Sequence, residues 1–486
     1  MTGIGPVSQD PSSDRCGGVG EYASMTSEPD VTTVRAWRAI GGDADLATEV
    51  SYQSAGEVLP AVLPVRELAR ATVGACSLAA AELGVSRDGG ALPRVRVDEG
   101  AVATAFVSER HLVVNGRRPT PFAPLSGFWR TADGWVRTHA NYPHHRARLL
   151  TALGVGTGGT PDDTGASSVG PLTEALAGLT ASEVQERVYA AGGLAVAVAT
   201  RHDERSLMCG HPLTEIAVAA EGGGRRLPPA SLPASGVRVL DLTRVIAGPV
   251  ATRTLALLGA DVLRVDPPGL LEDTDGHIDT GSGKRSTLLD LNSPEDRSTF
   301  DGLLDSADVV VIGYRPGSLD RLGLAAEELV DRHPGLVVAQ LSAWGWSGPW
   351  ATRRGFDSLV QAACGIAAVE STRDGRPGVL PAQALDHGTG YLMAAGVLRA
   401  LTERQRDGRG RLLRFSLVGT ADWLLHDVTA EPVGEGLHGS VGLIDTPSPY
   451  GLLRHAPPPI GYEGAPTDWA APATRWGTDR PVWVEG

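Results

Sequence analysis

From Gly236 onward the chain alternates short β-branched runs with segments of helical spacing, and this alternation restricts the fold more than any other feature. Residues 237–242, 261–266, 308–313 and 336–341 are short, mostly apolar runs, the pattern of strands buried on both faces. Helical spacing over 250–258 stops at Gly259, and a second helical stretch covers 319–332. Strand, helix, strand at this interval predicts an α/β fold with a parallel sheet wound by right-handed crossovers. Ligands of such sheets bind beyond the carboxyl ends of the strands.

An apolar helix starts near Asp386 and carries small residues at Gly390, Ala394, Ala395 and Gly396, which let a neighbour approach closely. It ends in the turn 406–410, before a strand-like run at 412–417. The first half of the chain echoes this unit. Leu63-Pro64, Leu68 and Thr72 align with Leu380-Pro381, Leu385 and Thr389 at an offset of 317, and Arg87-Asp88-Gly89 with Arg406-Asp407-Gly408 at 319. Asp386 aligns with Ala69, so the carboxylate is present in one copy only.

At roughly 150 residues per domain, 486 residues predict two or three folding units. The text divides into a loose head at 1–30 with Met25 as an alternative start, a helical segment at 31–115 and a smaller α/β or α+β domain at 116–230. The α/β lobe at 236–430 and a Pro- and Trp-rich tail at 431–486 that wraps back complete it. Within the smaller domain, Asp133-Gly134 turns into a strand at 135–139, and Thr180 with Glu183 forms a capping box. Gly222-Gly-Gly224 opens a linker. The 43 Lys+Arg against 57 Asp+Glu leave a net charge of −14, which repels a phosphate backbone and argues against nucleic acid, though not against a nucleotide in one basic cleft. Cys16, Cys76, Cys209 and Cys364 form no CxxC pair and no zinc spacing, so no metal site is expected and a reducing cytoplasm fits best. No run of about 18 apolar residues is seen, so no membrane association is expected.

Familiar catalytic patterns are missing. There is no HExxH, no GxSxG, and no GxGxxG at a strand–helix junction. Gly281-Ser-Gly-Lys284 imitates a phosphate loop, but Ile278 and Arg285 stand where that loop needs Gly and Ser or Thr. Lys284 is the single lysine of the chain, either a chance survivor of arginine-rich usage or a compact ammonium that guanidinium cannot replace. Asp266, at the end of the second strand, imitates a ribose-binding acid, a weak sign of NAD without the glycine fingerprint.

Several ordered motifs are more specific. Val239-Leu-Asp-Leu-Thr-Arg-Val-Ile-Ala-Gly-Pro249 and Leu257-Leu-Gly-Ala-Asp-Val-Leu-Arg-Val-Asp-Pro-Pro268 are followed by Gly283-Lys-Arg-Ser286 and Gly313-Tyr-Arg-Pro-Gly-Ser-Leu-Asp-Arg-Leu-Gly323. Gly355-Phe-Asp357 with Gln361-Ala362, Leu385-Asp386 and Arg406-Asp-Gly-Arg-Gly410 complete the series. Over about 237–430 the chain resembles the class III CoA-transferase family, which includes formyl-CoA and carnitine CoA-transferases and α-methylacyl-CoA racemase.

The resemblance implies a Rossmann-like CoA-binding lobe and transfer of coenzyme A from an acyl-CoA to a free carboxylic acid. It implies Asp386 as the nucleophile, forming a mixed anhydride and then an aspartyl-CoA thioester. Its place at a helix start suits an ionised carboxylate, with N-capping as the plain alternative. Asp357 matches a family acid, and His387-Gly388 are placed to offer backbone donors to an oxyanion. Ile246, Ala247, Asp266, Lys284, Arg285, Gly313, Tyr314 and Arg321 are the expected CoA contacts, the cations pairing with ADP phosphates and Tyr314 flanking the adenine. A homodimer is implied, interlocked in the family. Two departures stand out. Phe356 occupies the position of the racemase branch's histidine, which favours transfer over racemisation unless His387 substitutes. The small-domain text precedes the nucleotide lobe, an order opposite to the family's, and the glycine loop over the active site is not found unless Gly222-Gly-Gly224 serves. A catalytically silent CoA-binding subunit and an acyl-CoA racemase or epimerase therefore stay open as alternatives.

Overall fold

The computed structural model describes residues 30–120, 122–156, 165–200, 211–434 and 441–484. Most of the expected head, including Met25 and Cys16, lies outside the described residues, as does Cys209.

A seven-stranded sheet organises the larger lobe. In chain order its strands are β1 (Thr214–Gly222), β2 (Arg238–Leu242), β3 (Asp261–Asp266), β4 (Arg285–Leu288), β5 (Val309–Ile312), β6 (Val337–Ser342) and β7 (Arg409–Ser416). Their spatial order is β4-β3-β2-β5-β6-β7-β1. The six strands β2 to β7 are parallel and β1 joins the β7 edge antiparallel. The chain moves outward from β2 to β4, then returns to the other side of β2 with β5, the doubly wound arrangement that opens a crevice where the order reverses.

All four expected strands appear within a residue of their predicted limits, because Val239, Leu240, Leu263, Val309, Val310, Val311, Val337 and Val338 are all fully enclosed. One face packs on the helices Pro294–Leu304 and Ala326–Arg332, with Phe300 and Leu329 buried between. The helical stretch expected over 319–332 is broken: Gly323 takes the left-handed conformation at φ 62° and separates a short turn from the helix proper. The opposite face carries α2 (Ala247–Leu257) and, farther along the chain, α3 (Asp357–Ala363) and α4 (Ala384–Asp407). The small residues of α4 allow this packing, since a Cβ on Gly390 would lie 2.6 Å from the Ala247 carbonyl and one on Gly396 2.8 Å from the Phe415 ring.

The N-terminal segment repeats the β6–α4–β7 unit. Val50–Gln53 and Val95–Asp98 pair in parallel on either side of a 24-residue helix, α1 (Val65–Asp88), the length of α4. Gly89 and Gly408, with φ 78° and 71°, close the two helices. The helices lie side by side in the same direction: Leu68 fills the space beside Gly388 near their starts, and Arg399 grips Glu82 with both contacts at 2.5 Å farther along. By length and composition Val65–Asp88 is long and apolar enough to cross a bilayer, although polar residues interrupt it, and it is buried as the core partner of α4. In this copy Ala69 is enclosed, and Arg70 binds Asp30 (2.5 Å), Glu99 (3.1 Å) and Glu431 beneath the Tyr52 ring.

The smaller domain has its own antiparallel sheet, Phe128–Arg130, Trp135–Thr138 and Ala195–Ala197, and its own core around Leu125, Leu149 and Leu172. Thr180 and Glu183 close a reciprocal capping box at the start of Ala181–Ala190. Residues 214–222, expected in this domain, instead form β1 of the large sheet. The tail forms a hairpin, Ile444–Ser448 with Gly451–His455, then runs along the large lobe. Its indoles fasten it there: Trp469 donates to the Arg253 carbonyl, Trp476 to Asp266 and Trp483 to Ser306.

Candidate active site

Helix α4 leads into β7, and β7 is parallel to its neighbours, so the start of α4 lies on the side where the strands end. On that side the ends of β2 and β5 flank the point of order reversal. Val245 there has φ 73°, strained for a β-branched residue, and the loop it belongs to is fixed from below. Buried Asp241 accepts from the Thr243 backbone N–H, from the Thr252 hydroxyl and from Lys284 Nζ at 3.0 Å.

Asp357, at the start of α3, and Asp386, in the first turn of α4, are brought together. One Asp357 oxygen accepts from the backbone N–H groups of Leu385 (2.9 Å) and Asp386 (3.0 Å), and the other accepts from Gln361. Asp357 thus caps α4 from outside the helix, and Gln361 accepts in turn from the Leu380 N–H. Asp386 was expected to be kept ionised by the helix dipole. The structure corrects this: burial first, then the charges of Asp357 and Glu109, raise its pKa well above the usual carboxylate range. The dipole's free N–H groups are already spent on Asp357, whose own pKa burial raises.

His387 lies 1% exposed against Phe106, its Nε2 3.7 Å from Glu109 Oε2, and neither ring nitrogen has a hydrogen-bond partner. Its backbone N–H donates to the Gln383 carbonyl within the helix, so it is not the free oxyanion donor expected. Gly388 serves packing against Leu68. Beside Phe356 the His139 ring stacks at 3.8 Å, from the smaller domain, and burial lowers its pKa to about 3.

The expected CoA contacts divide. Ile246, Ala247, Gly313 and Tyr314 do lie at the ends of β2 and β5. Lys284 does not face a groove: it is 3% exposed, held by Asp241, Thr252 and the Pro249 carbonyl, and burial pushes its pKa down to about 8. Asp266 is enclosed by Arg264 and the Trp476 indole, so no ribose reaches it. Arg285 pairs with Asp261 and the tail carbonyl of Val482, and Arg321 donates to Asn292. Gly222-Gly-Gly224 packs on Gly408 at the far end of α4, about 30 Å from Asp386 at 1.5 Å per residue, and does not cover the site.

Three arginines outside the expected set gather instead. A cavity of about 350 Å³ between the smaller domain and the sheet's ligand side is lined by Tyr189, Leu194, Arg315, Thr352, Arg353 and Arg354. Arg353 pairs with Glu186, while Arg354 has no ion pair among the described residues; burial and the charges of Arg315 and Arg148 lower its pKa. Arg315 sits inside the quoted Gly313–Gly323 motif and Arg354 just before Gly355-Phe-Asp357, which was the available signal. Among the described residues no cluster of His, Cys, Asp and Glu is arranged for a metal.

A doubly wound lobe thus brings paired carboxylates at a helix start together with an arginine-lined cavity on its ligand side. Residues 234–452 match the model of CoA-transferase family III. The chain is 34% identical over 202 residues to a probable fatty acyl-CoA transferase of Mycobacterium tuberculosis, covering 39% of this chain and 51% of that protein. It is 35% identical over 189 residues to a formyl-CoA:oxalate CoA-transferase of Rhodopseudomonas palustris, covering 36% and 44%. The crystal structure of the Mycobacterium tuberculosis protein aligns with TM-score 0.37 at 36% identity over 39% of this chain and 54% of that one. A CAIB/BAIF family protein from Brucella suis aligns with TM-score 0.36 at 26% identity over 46% and 65%. The chain spans about half the length of the curated relatives it matches.

Proposed function

We propose that the protein is an enzyme that transfers coenzyme A from an acyl-CoA to a free carboxylic acid, with Asp386 as the covalent carrier. The observation that carries this reading is the Asp357–Asp386 pair at the start of α4, inside the stretch that matches the family. In the reaction the Asp386 carboxylate attacks the thioester carbon and CoA leaves as thiolate. The thiolate then attacks the aspartyl carbonyl and releases the acyl group as its acid, leaving an aspartyl-CoA thioester for the acceptor. Arg315 and Arg354 suit an anionic part of CoA or of the acid, an arginine fork matching phosphate or carboxylate.

One observation favours a second reading, a catalytically silent CoA-binding subunit: Asp386 is only 7% exposed and does not line the cavity. The site was expected to open on a groove, and transfer requires the packing around Asp386 to give way. Intact mass after incubation with a panel of acyl-CoAs, followed by hydroxylamine or borohydride trapping, separates the two. The transfer reading expects an adduct at Asp386 that Asp386→Asn abolishes. CoA binding with no adduct from any thioester selects the silent subunit. Exchange of the substrate's α-hydrogen with solvent deuterium and no acceptor requirement selects racemisation.

A further inference from the structure

We propose that Arg137 of the smaller domain anchors the carboxylate of the free acid that takes coenzyme A, holding it between the two domains beside Asp357. The acceptor role rests on the transfer reading above; the binding of a carboxylate at Arg137 does not, and the two are tested apart.

The strand Trp135–Thr138 fixes the face on which this side chain lies. Alternate residues of a strand face opposite sides, and Val136 and Ala140 belong to the smaller domain's own core with Leu125 and Leu149. Arg137 is on the other face, directly opposite Phe128 and Val196 of the neighbouring strands. Val196 packs in the core of the large lobe with Leu359 and Ala362 of α3. His139, two residues on, stacks on Phe356, the residue before Asp357, and the Ala199 N–H donates to the Ala362 carbonyl at 3.0 Å. The face that carries Arg137 is therefore the domain interface, and it lies against the helix whose first residue caps α4.

The guanidinium has no counter-charge there. It is 7% exposed, its central carbon 4.9 Å from the Phe128 ring centroid and 5.6 Å from that of Phe122. Its Nε has no hydrogen-bond partner, and among the described residues no carboxylate pairs with it. Arg70, Arg264, Arg399 and Arg404, buried as deeply, each hold at least one carboxylate. Burial pulls the Arg137 pKa down to about 10, and the charge of Asp357 opposes that fall. His139 Nδ1 and the hydroxyl of Ser358, which follows Asp357 in α3, are buried without partners as well. Unsatisfied buried groups gathered at one place in a native fold call for a ligand.

The charges around Asp386 define that ligand. Asp357 and Glu109 both act on Asp386, so an anionic acid meets repulsion at the place where it has to react. A cation held from the facing domain offsets this, and a guanidinium fork matches a carboxylate with two parallel hydrogen bonds. The rings of Phe122, Phe128 and Phe356 suit an uncharged carbon skeleton. The arginine-lined cavity borders the interface, because the carbonyl of Leu194 in its wall accepts from the His139 N–H at 3.1 Å. The acid thus has an approach as far as the His139–Phe356 stack, which has to shift to admit it. One oxygen of the held acid then bonds the carbonyl carbon of the aspartyl-CoA thioester, the C–S bond breaks and the thiolate leaves. The thiolate bonds the acid's carbonyl carbon in the mixed anhydride, and the C–O bond to Asp386 breaks to return its carboxylate. Arg137 exchanges no proton; it balances the charge of the acid until the first bond forms.

The test uses the full chain as Arg137→Met and Arg137→Lys beside the wild type. Sodium butyrate and sodium phenylacetate, with and without CoA and against sodium chloride at equal ionic strength, should raise the wild-type melting temperature. Arg137→Met should lose that shift while its calorimetric affinity for CoA stays within about twofold of the wild type. Without ligand it should melt no lower than the wild type, because a buried unpaired charge has been removed. In turnover with acetyl-CoA as donor, KM for the acid should rise about 10- to 100-fold, the size of a lost charge-assisted hydrogen bond, with kcat changed less. Arg137→Lys should recover part of the affinity. The absence of any acid-induced shift in the wild type, a shift that survives in Arg137→Met, or a ligand-free Arg137→Met chain that melts well below the wild type overturns the proposal. A wild type that shows the Arg137-dependent shift but forms no adduct at Asp386 with any acyl-CoA overturns the transfer reading, and with it the acceptor role, while the carboxylate site stands.

Discussion

Replacing Asp386 by Asn should stabilise the protein, and should do so only above the pH at which the unfolded carboxyl ionises. Burial, Asp357 and Glu109 all disfavour the ionised form of Asp386. Its folded-state pKa therefore lies above the unfolded value, so the native state binds more protons than the unfolded state. Stability is complete below the unfolded pKa and is lost as pH rises through the folded one. Each pKa unit is worth about 1.4 kcal/mol, and two unit charges about 5 Å apart at an effective dielectric of about 20 repel by roughly 3 kcal/mol. Asn keeps the shape and cannot ionise, so a gain of about 2–3 kcal/mol is expected at pH 8, falling to near zero at about pH 3.5, below the unfolded carboxyl's pKa of about 3.9. Urea unfolding of both proteins at the two pH values measures it. A loss of stability of equal size at both would mean that Asp386 is an ordinary structural hydrogen-bonding residue, and the electrostatic account would be wrong.

Other substitutions test other parts of the site. Asp357→Ala leaves the Leu385 and Asp386 N–H groups without their acceptor and should cost about 1–3 kcal/mol by urea denaturation. Lys284→Ala strands Asp241 in the core and should cost about 3–5 kcal/mol, while calorimetric affinity of the folded protein for CoA stays unchanged, because the ammonium faces no groove. Arg354→Ala should weaken CoA binding about tenfold in the same titration, about 1.4 kcal/mol, with a shallower dependence on salt than the wild type. Gly390→Ala places a Cβ 2.6 Å from the Ala247 carbonyl and should lower stability by about 1–3 kcal/mol, measured by thermal melting.

The centre of the large sheet was legible because β2, β3, β5 and β6 are buried on both faces and so read as continuous apolar runs. The two edge strands were not. β1 is mostly exposed, with an alanine- and glutamate-bearing text that resembles a linker, and β4 is four residues long and begins with arginine. Asp386 and Asp357 were legible through their motifs, but not their mutual geometry: the capping of one helix by a carboxylate on another depends on the fold. Lys284 shows the opposite failure. A single lysine beside a glycine turn suggests phosphate, and only the position of Asp241 on the neighbouring strand shows that its charge is used internally. Glu109 could not be found at all, because nothing along the chain between residues 109 and 387 indicates that they meet.

The twin unit at the N-terminus has a bearing on how many acyl groups one polypeptide would hold under the proposed transfer reading. Where its counterpart offers an acid it offers an alanine, and the next position is an arginine locked to three carboxylates. That ionic knot holds its carboxylates on an arginine, so on the proposed transfer reading labelling should saturate at one equivalent per chain.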